Sequence, residues 1–398
     1  MRPVTLRRLR RSFAAVAVPG LLLLATACGA SGRLRDPAAL ENLPWTAAEA
    51  SRAAHAVRVG LEEMRAFFVA DPERVLRLGV DAVECLIDAS YAADNTPELR
   101  ASARAYAREN LEALLAASAK TRPATVSADD YGDCATFAVY AHLLLPEGDP
   151  RTAHTIACAN AAAAQCMSLA DAMGFDPFDL LKPSTIGHDD DAETRAEALV
   201  DRVYETVLWS ITFTDASTVP GLDVPPRAHE LLPALWNFLS TYPLPDAAKF
   251  ADGANDMRFY DAAYLATHIG YVPTGYGRHA LRIEDCPWLL RYLRTNFDAV
   301  LAMGELDLVA EFVDLLRQFG FDEADPQVLA GSRHLLAQFE RAGSSWMAHR
   351  EEDEDEVTEY DLIHKPWTAV AGLRVRSPEP LRPGTYGAAF RAALARTP

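Results

Sequence analysis

The chain has 398 residues, 50% of them hydrophobic and 24% charged, with 21 Gly and 25 Pro. That make-up excludes a disordered or fibrous protein and allows a large buried core. Its 56 acidic and 38 basic side chains give a formal charge of -18, which excludes a nucleic-acid partner, because affinity for a phosphate backbone comes largely from basic patches.

The N-terminus is the most legible segment. Arg2, Arg7, Arg8, Arg10 and Arg11, with no acid among them, precede an apolar run from Phe13 to Ala27, the pattern of a secretion signal peptide over residues 1–27. The run is about 15 residues long, short of the roughly 20 that cross a bilayer as a helix, and Pro19-Gly20 interrupts it. Leu24-Ala25-Thr26-Ala27-Cys28-Gly29 resembles a bacterial lipobox, with Ala25 where Leu is commonest. Arg10-Arg11-Ser12-Phe13 resembles the twin-arginine export motif, without its usual polar residue before the arginine pair or Leu after the Phe. The resemblance implies a lipoprotein in a bacterial cell envelope, outside the cytoplasm, exported by the Sec or twin-arginine route and anchored through acylated Cys28. A membrane is then a partner through the lipid alone. Losing residues 1–27 removes five Arg and no acid, leaving 33 basic and 56 acidic side chains and a formal charge of -23. Residues 28–43 lack apolar periodicity and read as a tether.

From residue 44 to 376 the text is helical. Apolar residues recur at spacings of three and four, and Asp71-Pro72, Thr96-Pro97, Asp149-Pro150 and Asp325-Pro326 mark helix starts. Thr46 with Glu49 makes a capping box, and Gly174, Gly320 and Gly343 are stops. The spacing predicts about twelve helices, over 46–70, 72–93, 97–119, 128–145, 150–173, 191–213, 226–241, 256–272, 286–303, 305–319, 326–341 and 358–374. Residues 175–190 and 214–226 read as irregular, Glu351 to Glu356 as a charged loop tip, and 377–398 as a C-terminal tail. Period-two alternation and a fixed-length repeat are both missing. The expected class is therefore all-α, and twelve helices in antiparallel hairpins is the count of an (α/α)6 toroid, in which alternate helices line a funnel. Gln338 to Trp346 resembles the glutamine-tryptophan repeat of the squalene cyclase and prenyltransferase toroids, with one extra residue between Gln and Gly. It occurs once, and the Asp-rich motif of those enzymes is missing, so it implies an α/α shape and no cyclase activity.

Cys85, Cys134, Cys158, Cys166 and Cys286 have no metal spacing. Cys158 and Cys166 fall on one predicted helix, too far apart to bridge. Cys134 sits near a helix start, where the dipole favours a thiolate, but Asp130 and Asp133 oppose it.

The chemistry concentrates in the last third. Tyr260, Tyr264, His268 and Tyr271 fall at intervals of four, four and three, so one helical face carries three phenols and an imidazole. After Pro273, glycines allow Tyr276, Arg278 and His279 to fold back toward that face. In the last helix Tyr360, Ile363, His364 and Trp367 share a face, Asp361 stands three residues before His364 as its expected orienting partner, and Pro366 kinks the helix. Counted in order, the helices bearing Asp133, His268 and His364 are the fourth, eighth and twelfth, so all three are expected to line one funnel.

The residues expected to carry function are His268, His364, Asp361, Tyr271 and Arg278, with Asp133, Tyr264, Tyr276 and Trp367 as further cavity residues. The layout resembles glycoside hydrolase and polysaccharide lyase toroids. Lyases use Tyr and His for proton abstraction and Arg to neutralise a uronate; hydrolases use a carboxylate pair, here Asp261 or Asp361 with Asp133. Each His also has a plain reading as a core residue. The sequence thus supports an extracytoplasmic enzyme acting on a small molecule or carbohydrate, or a non-catalytic lipoprotein binding a small molecule, glycan or peptide. It assigns no cofactor, and a metal held by the two His and a carboxylate stays open.

Overall fold

The computed structural model describes residues 44–92, 97–182, 192–250, 253, 256–279, 281–349, 357–373 and 386–395. The leader, Cys28 with its tether, the run Glu351 to Glu356 and part of the C-terminal tail lie outside them. Among the described residues the chain is all-α, with no strand. The α-helices are α1 (Ala47–Ala70), α2 (Glu73–Leu78), α3 (Asp81–Ala92), α4 (Pro97–Ser118), α5 (Tyr131–Leu144), α6 (Pro150–Ala163), α7 (Leu169–Met173) and α8 (Pro177–Leu180), followed by α9 (Ala192–Ala216), α10 (Ala228–Leu239), α11 (Met257–Thr274), α12 (Pro287–Met303), α13 (Leu306–Gln318), α14 (Pro326–Arg341), α15 (Glu359–Gly372) and α16 (Tyr386–Leu394).

The caps explain the boundaries. Thr46 and Glu49 exchange two hydrogen bonds at the head of α1, Asp149 accepts from the Arg151 amide at the head of α6, and Asp325 accepts from Gln327 and Val328 at the head of α14. Each satisfies amides that the first turn leaves unpaired. Two predicted helices are broken. The stretch 72–93 divides at Gly79, whose φ of 61° stops α2 before α3 begins. The stretch 150–173 ends at Ala163, so Cys166 lies beyond the helix that carries Cys158; both are free thiols. Within the expected tail, α16 is helical and docks on α10, with the Tyr386 hydroxyl donating to the Val272 carbonyl at 2.6 Å.

Packing follows a regular order. Helix α3 packs on α4, α5 on α6, α9 on α10, α13 on α14 and α15 on α1. In turn α5 packs on α9, α9 on α11, α11 on α13, α13 on α15, and α15 on α3. This arrangement is compatible with a helical toroid. Gly372 is where α15 comes closest to α13: a Cβ there would meet the Ala310 carbonyl oxygen at 2.8 Å and its Cα at 2.9 Å. Because backbone cannot move aside as a side chain can, Gly372→Ala should cost about 1–3 kcal/mol in chemical denaturation.

Candidate functional site

The tyrosine face of α11 forms as the spacing predicts. Tyr260 and Tyr264 stack with centroids 5.9 Å apart. The His268 ring sits 4.5 Å from Tyr264, 4.8 Å from Tyr204 of α9 and 5.4 Å from Tyr271. Tyr276, left-handed at φ 56° between two glycines, folds back to put its ring 5.4 Å from Tyr271. Burial pushes His268 down to about 3, so the imidazole is neutral, and Nδ1–H donates to the Tyr264 carbonyl at 3.0 Å. That bond fixes the tautomer and leaves Nε2 as an acceptor. The Thr267 hydroxyl donates to the same carbonyl at 2.6 Å and lies 2.5 Å from Glu311 Oε2 of α13.

The second histidine is held differently from the sequence expectation. Asp361 occupies the third position of α15, and its carboxylate turns back to accept from the Thr358 amide and hydroxyl at 2.8 and 2.7 Å. A capping carboxylate faces the free amides at the start of its helix, so Asp361 is not the hydrogen-bond partner of His364. Asp307 of α13 takes that place, with Oδ2 3.4 Å from Nδ1 of His364. Burial lowers His364, but the Asp307 carboxylate, with Glu311 and Asp361, more than offsets it and holds the imidazole above its ordinary range. Reciprocally, His364 outweighs the burial of Asp307 and pulls its carboxyl down. The Tyr360 ring stacks on His364 at 5.1 Å and Trp367 meets it edge-on at 5.9 Å. The two predicted histidines are electrostatically coupled to each other, and their shifts run in opposite directions.

Around them stand acids that the sequence reading passed over. Helix α3 places Asp81, Glu84 and Asp88 on one face, and α13 places Asp307, Glu311 and Asp314 on one face. Burial raises Asp81 to about 6, against the attraction of His364. Burial, with Asp88 and Asp81 as like charges, raises Glu84 well above the carboxylate range; Tyr140 of α5 hydrogen-bonds to it and joins α3 to α5. Asp88 accepts from Trp367 Nε1 at 3.0 Å. Glu311 is 3% exposed, and burial raises it to about 8 against His364 and Thr267. At neutral pH Glu311 therefore keeps its proton, with the Thr267 hydroxyl at hydrogen-bond distance from Oε2. The signal for these residues was present: in Val80-Asp81-Ala82-Val83-Glu84-Cys85-Leu86-Ile87-Asp88 and Leu306-Asp307-Leu308-Val309-Ala310-Glu311-Phe312-Val313-Asp314 the acids sit among apolar neighbours, leaving no solvent face for them to occupy.

Other predicted residues lie apart from the histidines. Arg278 is buried, with Nη2 2.5 Å from Asp215 Oδ2 of α9 and its guanidinium 5.1 Å over the Tyr386 ring; His279 stacks on that same ring at 5.8 Å. Asp133 lines a separate cavity of about 200 Å³, with Cys134, Phe137, His154 and Cys158, while within electrostatic reach of Asp81. There burial, Cys158, Asp130 and Asp133 together push the Cys134 thiol up to about 12, so the helix dipole does not make a thiolate. Among the described residues no three His, Cys, Asp or Glu side chains are placed to hold a metal ion, and no helix is long and apolar enough to cross a membrane.

Glu311 makes stability depend on pH with a definite sign. Its folded value of about 8 exceeds the ordinary 4.5, so the native state holds a proton the unfolded chain has lost. Its contribution is complete below 4.5 and falls by up to about 1.4 kcal/mol per pH unit as pH rises toward about 8. Glu311→Gln, which mimics the protonated acid, should remove that decline, so urea midpoints of variant and wild type should diverge steadily between those limits.

No protein-family model, curated protein or solved structure matches the chain.

Proposed function

We propose that this chain is a general acid–base enzyme, a lipid-anchored envelope hydrolase of small glycosides, built as an (α/α)6 toroid with its centre among α3, α11, α13 and α15. The observation that carries the reading is the opposite protonation of two carboxyl groups on helices that both neighbour α15. Asp81, at about 6, is largely ionised at neutral pH, and Glu311, at about 8, keeps its proton. His364, fixed by Asp307, is electrostatically coupled to both. Environments that leave two acids with different values in this way assign base and acid. Asp81 takes the proton of a water whose oxygen bonds to the anomeric carbon. The glycosidic C–O bond breaks as the Glu311 proton passes to the leaving oxygen. The half-buried rings of Tyr360 and Trp367 supply flat walls for a sugar.

Within that family of reactions the uronate lyase has less support. Its neutralising cation was to be Arg278, which Asp215 already engages, and the surrounding acids repel a uronate. The envelope location and the anchor rest on the leader and Cys28, and Cys28→Ala should release the protein from membranes in fractionation.

Activity should be bell-shaped, with kcat/KM rising as Asp81 ionises near 6 and falling as Glu311 loses its proton near 8. On a panel of neutral, amine-bearing and acidic glycosides, Glu311→Gln and Asp81→Asn should each lower kcat/KM by about 10²- to 10⁴-fold. Turnover unchanged by Glu311→Gln would overturn the assignment.

A further inference from the structure

The acids of this centre outnumber its cations. Glu311 is buried, Asp81 and Glu84 are half-buried, and no Lys or Arg is hydrogen-bonded to any of them among the described residues; Tyr140 bonds to Glu84 and Thr267 to Glu311. Arg278, whose charge reaches Glu84, is paired with Asp215, and His364 is paired with Asp307. A second, independent feature points to the same ligand chemistry. His268, 6% exposed, spends Nδ1 on the Tyr264 carbonyl, and among the described residues Nε2 has no hydrogen-bond partner. A neutral imidazole with a bare Nε2 accepts a proton donor and repels nothing positive. Tyr204, Tyr264 and Tyr271 surround it, and their ring faces attract a cation.

We propose that the ligand of this centre is an amino sugar whose nitrogen is unacylated and protonated, its ammonium group held between the acids of α3, Glu311 and His268 Nε2. The inference rests on the reading of the centre as a sugar site and names the class of sugar. An anionic ligand would meet Asp81, Glu84 and Glu311 with no free cation to offset them. A neutral one would leave the α3 acids uncompensated, whereas an ammonium group lets Asp81 and Glu84 ionise in place while Glu311 keeps its proton. Binding should therefore release a proton, chiefly from Glu84, whose acid form burial and its neighbours Asp88 and Asp81 favour against the attraction of Arg278.

The test is calorimetric titration of the full chain with glucosamine, N-acetylglucosamine and calcium chloride, in two buffers of different ionisation heat. Glucosamine should bind at least about tenfold more tightly than its acetylated form and release a proton. Glu84→Gln should erase most of the preference and the proton release. Equal binding of both sugars, no saturable heat with glucosamine, or calcium alone reproducing the heat would each overturn the proposal. Because the readout is binding, it separates from the catalytic reading. Loss of turnover in Asp81→Asn without an amine preference would leave the hydrolase and remove the amino sugar; an amine preference with unaltered turnover would do the reverse.

Discussion

Replacing Arg278 with Met should cost the fold about 3–5 kcal/mol, one of the two largest single-residue losses expected in this protein. The guanidinium and Asp215 are 2.5 Å apart, with side chains only 9% and 12% exposed, and Arg278 Nε also donates to the Gly275 carbonyl at 2.5 Å. This one side chain ties the turn after α11 to α9, and through the Tyr386 ring to α16. Burial already raises Asp215, and the attraction and hydrogen bond of Arg278 are what oppose it. Without the arginine, a buried carboxyl keeps its desolvation penalty and loses its partner. The double variant Arg278→Met with Asp215→Leu should recover much of the loss, since an apolar pair of similar volume removes the charge as well as its counterion. Urea denaturation of the two single variants and the double measures the coupling. A loss below about 1 kcal/mol in Arg278→Met would mean the pair is a bystander.

Trp346→Ala should be comparably severe, about 3–5 kcal/mol. The ring is fully buried, 4.7 Å from Phe339 of α14, and its Nε1 donates to the Ala56 carbonyl at 2.9 Å. Its backbone amide donates to Glu63 at 2.9 Å, and Ser345 donates to the same carboxylate. Gly60 makes room for it: a Cβ there would stand 3.1 Å from the indole. The segment after α14 is thereby pinned to α1, linking helices nearly 300 residues apart in sequence. Trp346→Phe, which keeps most of the apolar volume and drops the N–H, should lose about 1–3 kcal/mol, so thermal melts of the two variants separate packing from hydrogen bonding. Equal and small shifts would mean that the junction is held elsewhere.

Trp346 also shows what a sequence resemblance conveys. The resemblance carried by Gln338 to Trp346 implies an α/α shape, and the Trp serves as packing, with no part in the polar centre. Several helix boundaries were legible where a side chain does the capping, although the caps Ser168 and Asp176 of the short helices α7 and α8 were not. Pro287–Met303 and Pro326–Arg341 were expected to within a residue, because a proline at the first position and, for the second, an Asp cap act locally. The breaks at Gly79 and Ala163 were not, since nothing in a hydrophobic period marks where a neighbouring helix forces the chain to turn.

The centre was legible in part for the same reason. Tyr264, His268 and Tyr271 share a face through local periodicity alone, and so do His364 and Trp367. Which acid orients His364 is a tertiary fact: Asp361 is three residues away in sequence and turns to its own cap, while Asp307 arrives from another helix. Arg278 was placed at the wall for its charge, and it is the charge of Asp215 that claims it. Asp81, Glu84 and Glu311 were passed over because an acid within a helix is ordinarily taken as solvent-facing. Only the packing of α3 and α13 on α15 makes both faces of those helices interior.

The most direct measurement is a ¹³C NMR titration of the aspartate and glutamate carboxyl carbons, with Asp81→Asn and Glu311→Gln assigning the two resonances. The account predicts that Asp81 titrates near 6 and Glu311 near 8, so that at neutral pH one is ionised and the other protonated. Both carbons titrating together in the ordinary carboxylate range, near 4, would contradict it.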